Sequence, residues 1–175
     1  IIQDGLDKKQ YTFLAHPQPN APTFLMVDPS NAAVGAALHQ QRCGTLIPIA
    51  SFSMKLTPVQ AAYSAFGKEL LAAYLAVQHF RHFLEGRSFT ILTDHKPLTT
   101  AFTSASHKYS LREIRHLAFQ AEFTTDIQYV KGTDNLPADA LSRISTISTQ
   151  PKIDVNTIAQ HQQADEEIRR LRSST

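Results

Sequence analysis

The apolar positions of the chain fall into short runs broken by turn residues, with one long helical stretch among them. "TFLMV" (23–27) is a short apolar run that stops at Asp28-Pro29-Ser30-Asn31, which predicts a strand followed by a turn. "AAVGAALHQ" (32–40) is small and apolar, with Gly35 inside it. The turn signal Arg42-Cys43-Gly44 follows so soon that a second strand is expected rather than a helix. "LIPIASFSM" (46–54) predicts a third strand, and Pro48 points to an edge or irregular position for it. Three strands with tight connections imply an antiparallel meander.

The rhythm then changes. Thr57 is a helix N-cap and Pro58 suits the first helical position, and a helical pattern continues to Gly86. Within it Phe66, Leu70, Ala73, Val77, Phe80 and Leu84 recur at spacings of three and four. "SFTILTDH" (88–95) predicts a fourth strand, "KPLTTAFT" (96–103) a short helix and "SLREIRHLAFQAEF" (110–123) an amphipathic helix. "TTDIQYV" (124–130) predicts a fifth strand. Gly132 marks a turn, and "PADALSR" opens a last helix. The order predicts an α/β domain with a mixed five-stranded sheet flanked by helices.

The ends of the chain differ from this middle. Residues 1–22 close on "HPQPNAP", whose prolines Pro17, Pro19 and Pro22 predict an extended linker. The domain is expected over residues 23–144. From 145 to 175 the chain is first rich in Ser and Thr, then reads "IAQHQQADEEIRRLRSS", a candidate helix with too few apolar residues to hold a core. The missing initiator Met and the polar opening suggest a piece of a longer polypeptide. Hydrophobic residues make up 42% of the chain, enough for a real core. One cysteine, Cys43, supplies neither a disulfide framework nor a cysteine zinc site. No apolar run approaches the roughly 20 residues needed to span a bilayer, so no membrane partner is expected. A net charge of +2 is by itself no sign of a nucleic-acid partner.

Four acidic residues stand at informative places. Asp28 ends the first strand, Glu69 lies mid-helix in "GKELLAAY", Asp94 ends the fourth strand, and Asp139 opens the last helix within "NLPADALSR". Each has an ordinary reading: a turn start for Asp28, a solvated face for Glu69, a helix cap for Asp94, a dipole partner for Asp139. Together they suggest more. Two strand ends in one sheet can be neighbours, a helix crossing the sheet can offer a carboxylate to both, and a terminal helix can close the group. Four such carboxylates repel one another, and divalent cations with hard oxygen ligands offset that repulsion. Two ions roughly 3.5–4 Å apart can activate a water and stabilise the leaving oxygen of a phosphodiester.

The ordered series "FLMVDPSNAAVGAALHQ", "PIASFSMKLTPVQAAYSAFGKELLAAYLAVQHFRHFLEG", "FTILTDHKPL" and "IRHLAFQAEFTTDIQYVKGTDNLPADALSR" resembles the ribonuclease H domain of gypsy-type LTR-retrotransposon Pol polyproteins. The resemblance runs from about Tyr11 to Arg143. It implies a ribonuclease H-like fold and a metal-dependent endonuclease that cuts the RNA strand of an RNA–DNA hybrid during reverse transcription. The parent would be a Pol polyprotein with RNA-directed DNA polymerase activity, in the cytoplasm and within virus-like particles. Its catalytic and metal-binding carboxylates map onto Asp28, Glu69, Asp94 and Asp139. Two Mg²⁺ ions are implied, with Mn²⁺ as a substitute, and contacts to 2′-hydroxyls would select RNA. "LAHPQPNAP" resembles the segment leading out of the reverse transcriptase, and "QQADEEIRRL" resembles the lead-in to integrase. Upstream reverse transcriptase and downstream integrase segments are thus the implied neighbours.

Ser30, Asn31 and Gly35 follow the first Asp and are expected near the scissile strand, while Asn135 is expected to hold the hybrid or order Asp139. Lys108, Arg112 and Arg115 are candidates for phosphate contact, with solvated helix charges as the ordinary alternative. His79 and His82 lack matching metal partners and are expected at the surface or in packing, and His95 is read as structural. Two departures from the resemblance stand out. The first motif reads "VDPS", where Ala commonly follows the Asp, and Pro29 removes a backbone donor there. "YVKGTDNLPAD" also lacks the His that retroviral domains often carry before the last Asp. The alternative to an active nuclease is a degenerate module that keeps the fold and binds hybrid or serves structurally.

Overall fold

Five strands form one sheet in the computed structural model, which describes residues 14–103 and 109–143. They are β1 (Thr23–Pro29), β2 (Ala33–Arg42), β3 (Thr45–Lys55), β4 (Phe89–Thr93) and β5 (Ile127–Tyr129), in spatial order β3-β2-β1-β4-β5. The first three pair antiparallel, as the tight connections between them require, and β4 and β5 run parallel to β1. The mixed five-stranded sheet expected from the sequence is present.

The predicted turn joins β2 to β3 through Cys43 (φ 48°) and Gly44 (φ 78°). Two successive left-handed residues make the tight hairpin whose twist matches that of the strands. Glycine adopts this conformation freely, while Cys43 bears a cost of about 1 kcal/mol for it. Pro48 lies on the edge strand opposite His39, where the register shifts and leaves Ile49 as the extra residue. A proline without an N–H is tolerated at such a place. Its carbonyl accepts the Ala15 N–H at 3.0 Å.

β1 runs one residue past Asp28, to Pro29. Ser30 N–H donates to the Ala33 carbonyl at 2.8 Å, so the alternation of an antiparallel ladder puts Pro29 opposite Val34 at a position that makes no hydrogen bond to β2. The missing donor is not needed there, and Pro29 leaves Asp28 paired opposite Gly35.

The helical stretch differs from expectation. Instead of one helix there are three: α1 (Pro58–Ala61), α2 (Ala65–His79) and α3 (Arg81–Leu84). Thr57 does cap α1, in a reciprocal box with Gln60. The break comes at Ser64, which is extended (φ −56°, ψ 160°) and accepts the Gly67 N–H on its hydroxyl at 3.0 Å. A serine offers its backbone this alternative to continued helix. Gly86, at φ 73°, follows α3 as expected. The remaining helices are α4 (Lys96–Thr99), α5 (Leu111–Ala121) and α6 (Leu136–Ser142), the last preceded by a 3₁₀ turn at Gly132–Asp134. β5 is shorter than predicted because the Thr124 hydroxyl bonds the Phe89 carbonyl at 2.9 Å and accepts the Asp126 N–H at 3.0 Å, which diverts that backbone from the ladder.

Strand alternation divides the core. Leu25 and Val27 of β1, with Val34, Ala36, Leu38 and Ile91, meet Leu70, Ala73, Val77, Phe80 and Leu84 on one face. Each large side chain fully buried there contributes about 1.5–3 kcal/mol. On the other face Met26, Ala37 and Leu92 meet Ala138 of α6. The C-terminal end of β1 is therefore held between α2 and α6.

Candidate active site

Each of the four carboxylates arrives on a different element. Asp28 is the second-last residue of β1, 9% exposed. Glu69 lies in the second turn of α2 and is 8% exposed. Asp94 directly follows β4, the parallel neighbour of β1, and is exposed. Asp139 lies in the first turn of α6, half-buried. The parallel pairing of β1 with β4 brings the C-terminal ends of both strands to the same end of the sheet.

Their charges reach one another. Burial pushes the Asp28 carboxyl above its ordinary range; the Ser142 hydroxyl, 2.5 Å from Oδ2, opposes this, while Asp94 and Asp139 push the same way as burial. Glu69 is pushed up to about 8, first by burial and then by the charge of Asp94, against a 3.2 Å hydrogen bond donated by Thr93. Asp28 adds to the rise and Lys68 opposes it. These are the marks of carboxylates gathered in partial desolvation without enough positive charge between them.

The two strand-borne and helix-borne halves are tied together by polar side chains. Asn135 is 1% exposed and its Nδ2 donates to the Val27 carbonyl at 2.9 Å, which pins the start of α6 to the residue before Asp28. Asp139 N–H in turn donates to the Asn135 carbonyl at 3.1 Å. Ser30 accepts the N–H groups of Ala32 and Ala33 at 3.1 and 3.0 Å and donates to the Ser142 carbonyl at 2.8 Å. Asn31 is exposed and its Oδ1 accepts from Lys68 Nζ at 2.9 Å. The loop after Asp28 thus grips both the helix of Glu69 and the helix of Asp139.

Two residues expected at a nucleic-acid contact have interior roles. A Cβ on Gly35 would lie 2.2 Å from the Ala138 carbonyl and 2.3 Å from the Ser142 N. Gly35 is covered by α6 and permits its close approach. Asn135 is likewise spent inside the fold, which fits ordering Asp139 rather than holding a hybrid. Arg112 and Arg115 lie on α5, where the Arg112 guanidinium stands 3.6 Å from the Tyr63 ring centroid and Arg115 is exposed. Lys108 lies outside the described residues. His79 stacks on Phe52 at 4.4 Å and His82 lies against Phe83 at 4.1 Å, both on the exposed surface, in keeping with the surface or packing roles expected. His95 is half-buried beside Phe66, and burial lowers its pKa.

Sequence reasoning missed Thr93, Ser142, Lys68 and Arg143. Thr93 was legible from alternation, since it precedes Asp94 and so faces the opposite way, toward α2. Ser142 and Arg143 stand three and four residues after Asp139, one turn along the same helical face.

The donor set suits a hard divalent cation: four carboxylates, two of them raised in pKa by burial and by neighbouring carboxylates. Among the described residues no three His, Cys, Asp or Glu side chains form a ready cage. Asp28 is turned to Ser142, Glu69 to Thr93, and Asp139 to Arg143, whose Nε lies 2.5 Å from Oδ1. The residues fit the metal in kind and neighbourhood, with those partners still in place.

Residues 18–123 match the family model described as the RNase H-like domain found in reverse transcriptase. The chain is 37% identical over 134 residues to a retrovirus-related Pol polyprotein from transposon 412 of Drosophila melanogaster, covering 77% of this chain and 11% of that protein. It is 39% identical over 124 residues to the Transposon Tf2-3 polyprotein of Schizosaccharomyces pombe, covering 69% of this chain and 9% of that one. The chain therefore spans about a tenth of the length of these relatives. Among solved structures it resembles the Prototype Foamy Virus protease-reverse transcriptase, with a TM-score of 0.55 and 14% identity over 71% of this chain and 16% of that one. It also resembles LC11-RNase H1, solved in complex with RNA/DNA hybrid, with a TM-score of 0.51 and 10% identity over 70% of this chain and 93% of that one. At those identities the likeness is one of fold.

Proposed function

This chain belongs to the family of RNase H-like domains found in reverse transcriptase, and from that premise we propose that it cuts the RNA strand of RNA–DNA hybrids during reverse transcription. The observation that carries the reading is the gathering of Asp28, Glu69, Asp94 and Asp139 at one end of the sheet, with burial and the charges of Asp94 and Asp28 raising Glu69 to about 8. Bound Mg²⁺, or Mn²⁺ in its place, would relieve that repulsion, activate a water and stabilise the leaving oxygen.

The residues divide the work. Asp28 and Glu69, the buried pair, form the floor. Asp94 and Asp139, more exposed, face the substrate side. Ser142 and Thr93 aim the buried carboxylates, and Asn135 fixes α6 so that Asp139 reaches the group. Arg115 supplies positive charge for a phosphate backbone, with Lys108 and Arg112 beside it in sequence. Because the relatives are much longer polyproteins, reverse transcriptase and integrase segments are the proposed neighbours of this domain in its parent.

A second reading has its own observation. No ready cage exists among the described residues, and Asp139 is held by Arg143; a degenerate domain that binds hybrid without cutting it would look the same. One experiment separates the two. A labelled RNA–DNA hybrid is incubated with the protein in Mg²⁺, in Mn²⁺ and in EDTA. Metal-dependent loss of the RNA strand alone, abolished in Asp28→Asn and Asp94→Asn with hybrid binding kept, establishes the nuclease. Binding without cleavage in either metal establishes the degenerate module.

A further inference from the structure

The polar partners of the four carboxylates are not equivalent. Ser142 and Thr93 are neutral hydroxyls that can keep their hydrogen bonds while the other oxygen of each carboxylate meets a cation. Arg143 is different, because it is itself a cation on one of the four. Its Nε lies 2.5 Å from Asp139 Oδ1, and its charge also reaches Asp28. Lys68, a second cation among the described residues, whose charge reaches Glu69, points its Nζ at Asn31 instead.

We propose that Arg143 is the built-in counter-ion of the metal-free site, and that a divalent cation enters by displacing it from Asp139. The inference rests on the metal-dependent reading above and adds a residue which that reading does not require. Two effects act in the same direction. The guanidinium occupies an oxygen that would otherwise be offered to the cation. Its positive charge also repels any second cation brought near Asp28 and Asp139. The displacement is easy because Arg143 is exposed, with 69% of its side-chain surface accessible, so water receives the released guanidinium.

A plain structural role must be distinguished from this. Asp139 in the first turn of α6 and Arg143 at its end are an i,i+4 pair oriented to suit the helix dipole. Such a pair would stabilise α6 equally with and without metal. A counter-ion stabilises only the metal-free state.

The test uses the whole chain as wild type, Arg143→Gln, Arg143→Lys and Asp139→Asn. Calorimetric titration with MnCl₂ and MgCl₂ is paired with thermal melting in EDTA and in saturating Mg²⁺. Arg143→Gln should bind either metal about two-fold more tightly, the size expected of an exposed i,i+4 ion pair, with Arg143→Lys between it and wild type. Its melting temperature should drop in EDTA and match wild type in Mg²⁺. Equal affinities, or an equal drop in both conditions, would overturn the counter-ion role. Asp139→Asn tells the two failures apart. If it loses metal binding while Arg143→Gln changes nothing, only this inference fails. If wild type shows no saturable binding and Asp139→Asn is the same, the metal reading fails and takes the inference with it.

Discussion

Ser142 and Asp28 stand 114 residues apart in the chain, and the hydroxyl of one meets the carboxylate of the other at 2.5 Å. Ser142 is 1% exposed, so the bond is shielded from water. It joins the last turn of α6 to the end of β1 at the point where the charges converge. Ser142→Ala should leave the Asp28 carboxylate buried without that donor and cost about 1–2 kcal/mol of stability at neutral pH. Urea unfolding in EDTA measures it. A loss no larger than that of an exposed serine control would mean that the bond carries no weight.

The raised Glu69 makes a statement about pH. In the unfolded chain Glu69 gives up its proton above its ordinary 4.5, whereas the folded protein keeps it up to about 8. Between those values folding takes up a proton, so raising the pH weakens the folded state, and the loss is complete above about 8. Asp28, raised from 3.8, acts in the same direction. His39, His95 and His116, whose pKa values burial lowers from 6.5, act the other way below that pH, so in EDTA the urea midpoint should fall most clearly from about pH 6.5 to about pH 8.5. Glu69→Gln, which resembles the protonated form, should flatten this slope and exceed wild type at the alkaline end. A variant as steep as wild type would place the titration elsewhere.

How much of this was legible in the sequence depends on the range of the interaction. Asp28 and Asp94 were visible because short apolar runs end at them, and Pro48 announced the irregular edge strand because proline cannot serve a central ladder. The break at Ser64 was hidden because the apolar spacing from Phe66 to Leu84 continues a helical period that local pattern alone extends back to Thr57. Gly35 was noticed but assigned an outward role, and for Asn135 an outward role and the ordering of Asp139 both stood open. Their inward ones depend on α6 lying across β2 and β1, a contact made by residues more than 100 positions apart and absent from any local pattern. Ser142 and Arg143 were within the quoted "ADALSR" and needed only the helical turn to be counted forward from Asp139.

Arg115 and Arg112 differ in what surrounds their charges. Arg115 is exposed, with its Nε 3.3 Å from the Leu111 carbonyl, while Arg112 lies over Tyr63. Arg115→Ala should weaken hybrid binding uniformly across sequences and reduce the salt dependence of log K by about one. Arg112→Ala should in addition lose about 0.5–1 kcal/mol of stability with the cation–π contact. Binding titrations at several salt concentrations decide the first, and an unchanged slope for both would remove α5 from the proposed interface.

Two glycines allow the fold and the site to be perturbed separately. At Gly35 an added methyl meets backbone atoms of α6 at 2.2 and 2.3 Å, so the helix must move. Gly35→Ala should cost about 1–3 kcal/mol, as overpacking does, and carry Asp139 away with α6. At Gly132 the added Cβ meets only Asp94 Oδ2, at 3.2 Å, the far end of an exposed side chain. That oxygen can swing aside, so Gly132→Ala should change stability by less than about 0.5 kcal/mol. The swing nevertheless re-aims a carboxylate proposed to position the reaction, where small displacements are costly, and cleavage should fall by about tenfold. Urea unfolding and hybrid cleavage measured on both variants give a crossed pattern: stability and cleavage lost together at Gly35, cleavage alone at Gly132. If Gly132→Ala cuts as wild type does, Asp94 tolerates movement that a fixed ligand would not, and its place in the site is weakened.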